Sequence, residues 1–159
     1  MTDSWDSFAD ALGEEAASLG RVQASALLLT QALVANDVAQ ITVTQGELES
    51  ARAAYVSASG KRRGMQVRGF GNLTLRQVCP FAPQRYALFF NQRLAELATR
   101  SVSLGITNNN NKSLITAGLQ RLFTVTAAIQ RATCPEPKTY KRRGFVPPPT
   151  NSVLVSSQA

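Results

Sequence analysis

Residues 87–129 read ALFFNQRLAELATRSVSLGITNNNNKSLITAGLQRLFTVTAAI. Counted in alternating steps of three and four, this stretch places one set of residues on a single helical face, here called the heptad face. It comprises Ala87, Phe90, Leu94, Leu97, Ser101, Leu104, Asn108, Asn111, Ile115, Gly118, Leu122, Val125 and Ile129. Nine of the thirteen are apolar and the phase never slips, so the pattern predicts one helix from about Pro83 to Ala132, continuous through Gly105.

A helix over residues 87–129 would span roughly 60 Å, which requires partner helices lying along it. The expected fold is therefore all-α: an elongated antiparallel helical bundle or coiled coil of about three long helices. The bundle is expected to occupy residues 1–133, with a loop near residues 60–82. Residues 134–159 are rich in proline and basic residues, which predicts a flexible, disordered tail.

Two further helices are predicted before the loop. The first follows the same three-four spacing, with the charged Glu15 as its one misfit, through Trp5, Phe8, Leu12, Glu15, Leu19, Val22, Ala26, Leu29 and Leu33. Asn36-Asp37 is a turn-and-cap pair that ends it. The second helix is expected from Val38 to about Arg63, weakened by the poor helix formers between Ile41 and Gly46.

Composition argues against several functional classes. The chain has no histidine, which removes the usual general base and the commonest transition-metal ligand. Its two cysteines, Cys79 and Cys134, lack metal-site spacing, and no nucleophile–base pair or phosphate-cradling loop is found. No apolar run is long enough to span a membrane, and the N-terminus is acidic. The expectation is a cytoplasmic protein that is not an enzyme and has no cofactor and no small-molecule substrate.

The net charge of +7 is unevenly distributed. Residues 1–50 carry eight acids and one base, whereas the remainder carries sixteen bases and two acids. Segments of opposite sign can pair within a bundle, or the basic part can bind an anionic partner such as nucleic acid. The second alternative would use the glycine-rich basic run Lys61–Arg68 and the tail cluster Lys138–Arg143.

Asn108 and Asn111 stand on the heptad face itself. A buried asparagine at such a position fixes the register or the number of partner helices, at a cost in stability. These two residues are therefore expected to be the polar positions of the helical interface.

The pattern Asn108-x-x-Asn111-x-x-Leu114-Ile115 in a long helix, followed by a proline-bearing tail with Tyr140-x-x-x-Gly144, resembles the FlgN family of flagellar export chaperones. The preceding run Thr74-Leu75-Arg76-Gln77-Val78, then a proline and a leucine-rich helix, is similar to the arrangement in many of its members. The likeness covers nearly the whole chain.

The resemblance implies a cytoplasmic helical chaperone of flagellar type III protein export. Such a chaperone binds hook–filament junction proteins, the hook-associated proteins, and delivers them to the cytoplasmic domain of the export gate. Cargo binding is implied for the last part of the long helix, at Leu114, Ile115, Leu119, Leu122, Phe123 and Ile129. Docking to the export gate is implied for Tyr140 and Gly144 in the tail.

The residues themselves are compatible with this function. A second apolar flank lies beside the heptad face and is formed by Leu114, Leu119, Phe123 and Ala127. Together the two have more apolar surface than one partner helix can cover. Such a surface can capture an amphipathic helix of another protein. Alternatively, the first two helices cover all of it, or the chain is a structural coiled-coil subunit whose partner is itself. The oligomeric state is left open.

Overall fold

A computed structural model describes residues 2–133, with side chains from Trp5 onward, and these residues form an all-α helical bundle. Its helices are α1 (Thr2–Ala35), α2 (Val38–Phe70), the short α3 (Leu75–Val78) and α4 (Gln84–Thr133), with a 3₁₀ turn at Cys79–Phe81. Three long helices and no strand in this part of the chain confirm the expected fold class. The helix α4 is continuous through Gly105, as the unbroken heptad phase predicts.

The connection between α1 and α2 is a two-residue turn made by Asn36 and Asp37. Asn36 adopts a φ of 54°, and the amides of Asn36 and Asp37 donate to the carbonyls of Leu33 and Ala32. This is a Schellman closure, which satisfies the last carbonyls of α1. The Asp37 carboxylate then accepts from the Gln40 amide at 3.0 Å and caps α2. The turn reverses the chain, so α1 and α2 run antiparallel.

The loop expected near residues 60–82 is wrong over its first part, because α2 continues to Phe70. Three helical glycines and a run of cations made residues 60–70 resemble a loop, but two polar side chains in this stretch, Arg62 and Gln66, are buried against the bundle. Their contacts outweigh the weak helix propensity of the glycines, which is about 1 kcal/mol each.

The link from α2 to α4 follows local capping rules. Gly71 ends α2 with a φ of 64° and a ψ of −144°, a backbone region essentially reserved for glycine. Thr74 and Gln77 then form a reciprocal capping box that starts α3. Pro83 directly precedes the first residue of α4, where its missing amide costs nothing.

Hydrogen bonds fix the relation between α1 and α4. Tyr86 donates to Asp6, and Gln23 donates to Ser103 at 2.9 Å, each pair 80 positions apart in the chain. Thr30 and Asn111, 81 positions apart, also bond. Because the separation changes by only one position along both helices, α1 and α4 run parallel and in register.

Apolar packing forms two clusters along α1. The first joins the aromatic rings of Trp5, Phe8, Phe70 and Phe90 with buried Val78 from the linker. The second cluster lies towards the end of α1 and contains Val22, Ala26, Leu29 and Leu48, with partly buried Tyr55 and Leu104 among the residues packed against it.

A buried polar network joins α1 to the later part of α2. Glu15, the misfit of the apolar pattern, is 2% exposed and accepts two hydrogen bonds from Arg62, at 2.6 and 3.1 Å. Arg62 also donates to Gln66, whose amide in turn donates to the carbonyl of Leu73 in the linker. The Glu15 carboxylate can stand on the core face of α1 because the Arg62 guanidinium compensates its charge there.

The chain divides into two compact units, Met1–Arg121 and Leu122–Ala159. The first contains α1, α2, α3 and most of α4, and of the second the structure describes the helical segment Leu122–Thr133. The predicted tail at residues 134–159 lies outside the described residues.

Two glycine substitutions test the backbone conformation, one within α4 and one at the end of α2. Nothing lies within 4 Å of a Cβ added at Gly105, so Gly105→Ala should raise the free energy of unfolding by about 1 kcal/mol through helix propensity. Gly71→Ala, by contrast, should lower it by about 1–3 kcal/mol because alanine is strained at that φ and ψ. Urea unfolding followed by circular dichroism measures both, and a destabilising Gly105→Ala would contradict the continuous α4.

The buried ion pair is tested by removing one partner. Arg62→Met leaves the Glu15 carboxylate buried without its cation and should lower stability by about 3–5 kcal/mol. Lys61→Met is the matched control, since its exposed pair with Glu14 should contribute no more than about 1 kcal/mol. Adding Glu15→Leu to Arg62→Met should recover most of the loss, and equal effects of the two single variants would contradict the network.

Candidate partner-binding surface

Asn111 is the polar centre of the contact between α1 and α4. It is buried, and its side-chain amide donates to the carbonyl of Ala26 at 3.1 Å while its carbonyl oxygen lies 2.7 Å from the Thr30 hydroxyl. The Thr30 hydroxyl is also 3.0 Å from the Ala26 carbonyl, and its single proton serves one acceptor at a time. These bonds hold α4 at one position along α1.

The four consecutive asparagines have different surroundings. Asn111 is buried and Asn108 is half-buried, whereas Asn109 and Asn110 are exposed. The structure therefore places the two asparagines of the heptad face towards the bundle, with hydrogen bonds from Asn111 to α1.

The heptad face is covered only along its first part. Phe90 is buried, and Leu94, Leu97 and Leu104 are half-buried, although Ser101 is exposed. Beyond Asn111 the cover ends, since Ile115 on this face is 45% exposed. On the flank beside it, Leu114 is half-buried and Leu119 is 50% exposed. The register explains the change, because a separation of 80 positions places Ala35, the last residue of α1, level with Ile115.

The segment Leu122–Thr133, taken by itself, is a helix with exposed apolar side chains. The exposed fractions are 64% for Leu122, 73% for Phe123, 55% for Val125 and 56% for Ile129. Leu122, Val125 and Ile129 recur at helical spacing, so they share one face of this segment. All the residues expected to bind cargo therefore have exposed side chains, except half-buried Leu114.

Two exposed valines at the turn between α1 and α2 were not predicted. Val34 and Val38 flank Asn36-Asp37 and are 70% and 71% exposed. Val34 lies off the three-four apolar pattern of α1, and that departure was the available signal in the sequence. The register places Val34 level with residue 114 of α4.

The segregated charges of the sequence meet within the bundle. Lys61 pairs with Glu14 at 2.9 Å, Arg62 pairs with Glu15, and Arg85 lies 3.7 Å from Asp6. The acidic first helix thus faces several cations of the later chain. Two of the four cations in the run Lys61–Arg68 are engaged in these pairs.

Two titratable groups have pKa values shifted by neighbours. A hydrogen bond from Arg93, with the nearby charge of Arg100, lowers the pKa of Glu96 from its ordinary 4.5, so this contribution to stability is present at neutral pH and is lost in acid. The hydrogen bond to Asp6 raises the pKa of Tyr86 above 10.0, so that contact is lost only in strong base. Neither pKa therefore lies near neutral pH, where the pKa of a general acid or base would lie.

The described residues contain no group of side chains that could hold a metal ion. Among the same residues, every helix lacks the apolar length needed to cross a bilayer. Tyr140 and Gly144, expected to dock the export gate, lie outside the described residues.

Comparison with protein-family models, curated proteins and solved structures gave no match. The assignment of a function therefore depends on the residues and their geometry.

Substitution of the asparagines tests the polar contact. Asn111→Asp places a carboxylate against the Ala26 carbonyl in a buried site and should lower the free energy of unfolding by at least about 2 kcal/mol. Asn110→Asp is the matched control and should change it by less than about 0.5 kcal/mol because that residue is exposed. Asn111→Leu should be tolerated, since Thr30 can donate to Ala26 instead. Equal effects of the two aspartates would contradict a buried Asn111.

Proposed function

We propose that this chain is an export chaperone of the FlgN type, which binds hook–filament junction proteins and delivers them to the export gate. The observation that carries the proposal is the exposed apolar side chains of α4, at Ile115 and Leu119 and again within the segment Leu122–Thr133. The proposal is also supported by the sequence resemblance to the FlgN family.

The exposed residues have the chemistry of a helix-binding surface. Leu122, Val125 and Ile129 present apolar groups on one helical face, which is the arrangement that receives the apolar stripe of another helix. Covering one such side chain gains about 1.5–3 kcal/mol, whereas association itself costs about 4–15 kcal/mol. No single residue suffices, so the cargo must cover several of them at once.

The chaperone acts by covering the cargo. A segment whose apolar stripe is intended for assembly is prone to premature association while it is exposed. Packing that stripe on α4 removes it from water until the complex reaches the export gate. In this proposal Tyr140 and Gly144 make the contact with the gate, and the chaperone acts in the cytoplasm.

Binding to nucleic acid is the main competing function. It required the cations of Lys61–Arg68 to be available, yet Lys61 and Arg62 are paired with Glu14 and Glu15. Arg63 and Arg68 remain in that run, which is a small basic patch for phosphate binding, and the tail cluster Lys138–Arg143 lies outside the described residues. The observed ion pairs therefore favour the chaperone. Self-association through α4 is a further alternative that the binding experiment distinguishes.

Paired substitutions test cargo binding. Leu119→Ser together with Phe123→Ser should leave helicity and Tm nearly unchanged, because both side chains are exposed. The same variant should weaken binding to the C-terminal segment of a hook–filament junction protein by tenfold or more, since apolar anchors commonly contribute about 2 kcal/mol. Titration calorimetry measures the affinity, and light scattering reports whether the free chain is already self-associated.

Val102→Ser together with Ile106→Ser is the matched control. These side chains are 67% and 59% exposed on the same helix, but they precede the residues expected to bind cargo. The control should bind cargo as the wild type does. A Leu119/Phe123 variant that melts at a much lower temperature would assign those residues to the core, and equal losses in the two variants would contradict a specific surface.

A further inference from the structure

A cleft of about 540 Å³ opens in the unit Met1–Arg121, and its lining includes none of the residues expected to bind cargo. Its α4 side extends from Asn91 to Ser101, about three helical turns, and includes Leu94 and Leu97. Tyr55 of α2 and Leu75 of α3 supply further apolar surface. The cleft therefore lies where α2, α3 and α4 approach one another without closing.

The lining of the cleft is apolar and partly formed by small side chains. Ala95, Ala98 and Ser101 recur on the α4 side, so the recess can accept larger side chains from a partner. Glu15 also lines the cleft, but its carboxylate is held in the buried pair with Arg62 and is only 3% exposed. The cleft thus presents leucine, alanine and tyrosine surface over a neutralised ion pair.

The charge at the cleft is positive. Arg76 lines it and forms no ion pair with a carboxylate of the described residues. Arg52 does not line the cleft, but it lies one helical turn before the lining residue Tyr55, is exposed and also lacks an ion pair within that part of the chain. Carboxylates along the edge of a partner would meet these guanidinium groups, which favour such pairing.

We propose that this cleft binds an amphipathic helix of another protein, with large apolar side chains at helical spacing and carboxylates beside them. The apolar side chains would fill the space over Ala95 and Ala98, and the carboxylates would pair with Arg76 and Arg52. This second binding surface is separate from the exposed residues Ile115–Ile129 and does not rest on the proposed chaperone function.

A designed peptide serves as the probe. It is a helix of about five turns with leucines at heptad positions and glutamates flanking them, and its counterpart carries lysines in place of the glutamates. The glutamate peptide should bind the full chain at least about tenfold more tightly than the lysine peptide, and high salt should reduce that preference. Fluorescence anisotropy of labelled peptides measures both.

Two substitutions locate the binding. Ala98→Trp fills the recess at an exposed position and should abolish binding of the glutamate peptide, whereas Ala117→Trp, also exposed on α4, should not. Arg76→Glu should reverse the preference between the two peptides, whereas Arg121→Glu should not. Circular dichroism confirms that each variant keeps its helicity, and Arg76→Glu still tests the proposal if Ala98→Trp unfolds the bundle.

Several outcomes would overturn this inference. Equal affinities for the two peptides would show that charge does not guide binding. Undiminished affinity of a folded Ala98→Trp variant would exclude the cleft as the binding site. Loss of peptide binding in the Leu119/Phe123 variant would move the site to the end of α4. A self-associated chain that Ala98→Trp dissociates would identify a second copy as the occupant instead.

Discussion

The buried pair between Glu15 and Arg62 is the constraint on which much of this bundle depends. Apolar stripes alone allow two helices to slide by a turn with little loss, whereas a buried carboxylate tolerates only the alignment that brings its cation. The pair fixes α1 against α2, and Gln66 extends it to the carbonyl of Leu73. The start of α3, and with it the entry to α4, is therefore tied to the same network.

The elements of the fold were predictable where the cause is local. The turn at Asn36-Asp37 and the cap at Thr74 follow from a few neighbouring residues, and the continuity of α4 follows from the apolar period of that helix itself. The end of α2 was not predictable, because its glycines and cations indicate a loop until their partners are known. Arg62 finds Glu15 47 positions earlier in the chain, and no local pattern reports such a contact.

The candidate surface was predictable in composition but not in extent. The apolar residues of the heptad face recur with the same spacing before and after Asn111, so periodicity cannot say where the cover stops. That boundary depends on the register between α1 and α4, which is set by the hydrogen bonds of Asn111 and Gln23. The same limit applies to Glu15, because the burial of a charged residue in an apolar pattern cannot be predicted until its partner is known.

Because α1 and α4 run parallel and in register, the length of α1 determines how far along α4 the heptad face is covered. With a separation of 80 to 81 positions, each heptad added to α1 would extend the cover by about two heptad-face positions of α4, and each heptad removed would shorten it by two. The amount of open surface can thus change through the length of a helix that contributes no residue to it. A chain built this way can adapt to longer or shorter partners while every residue of the binding helix stays the same.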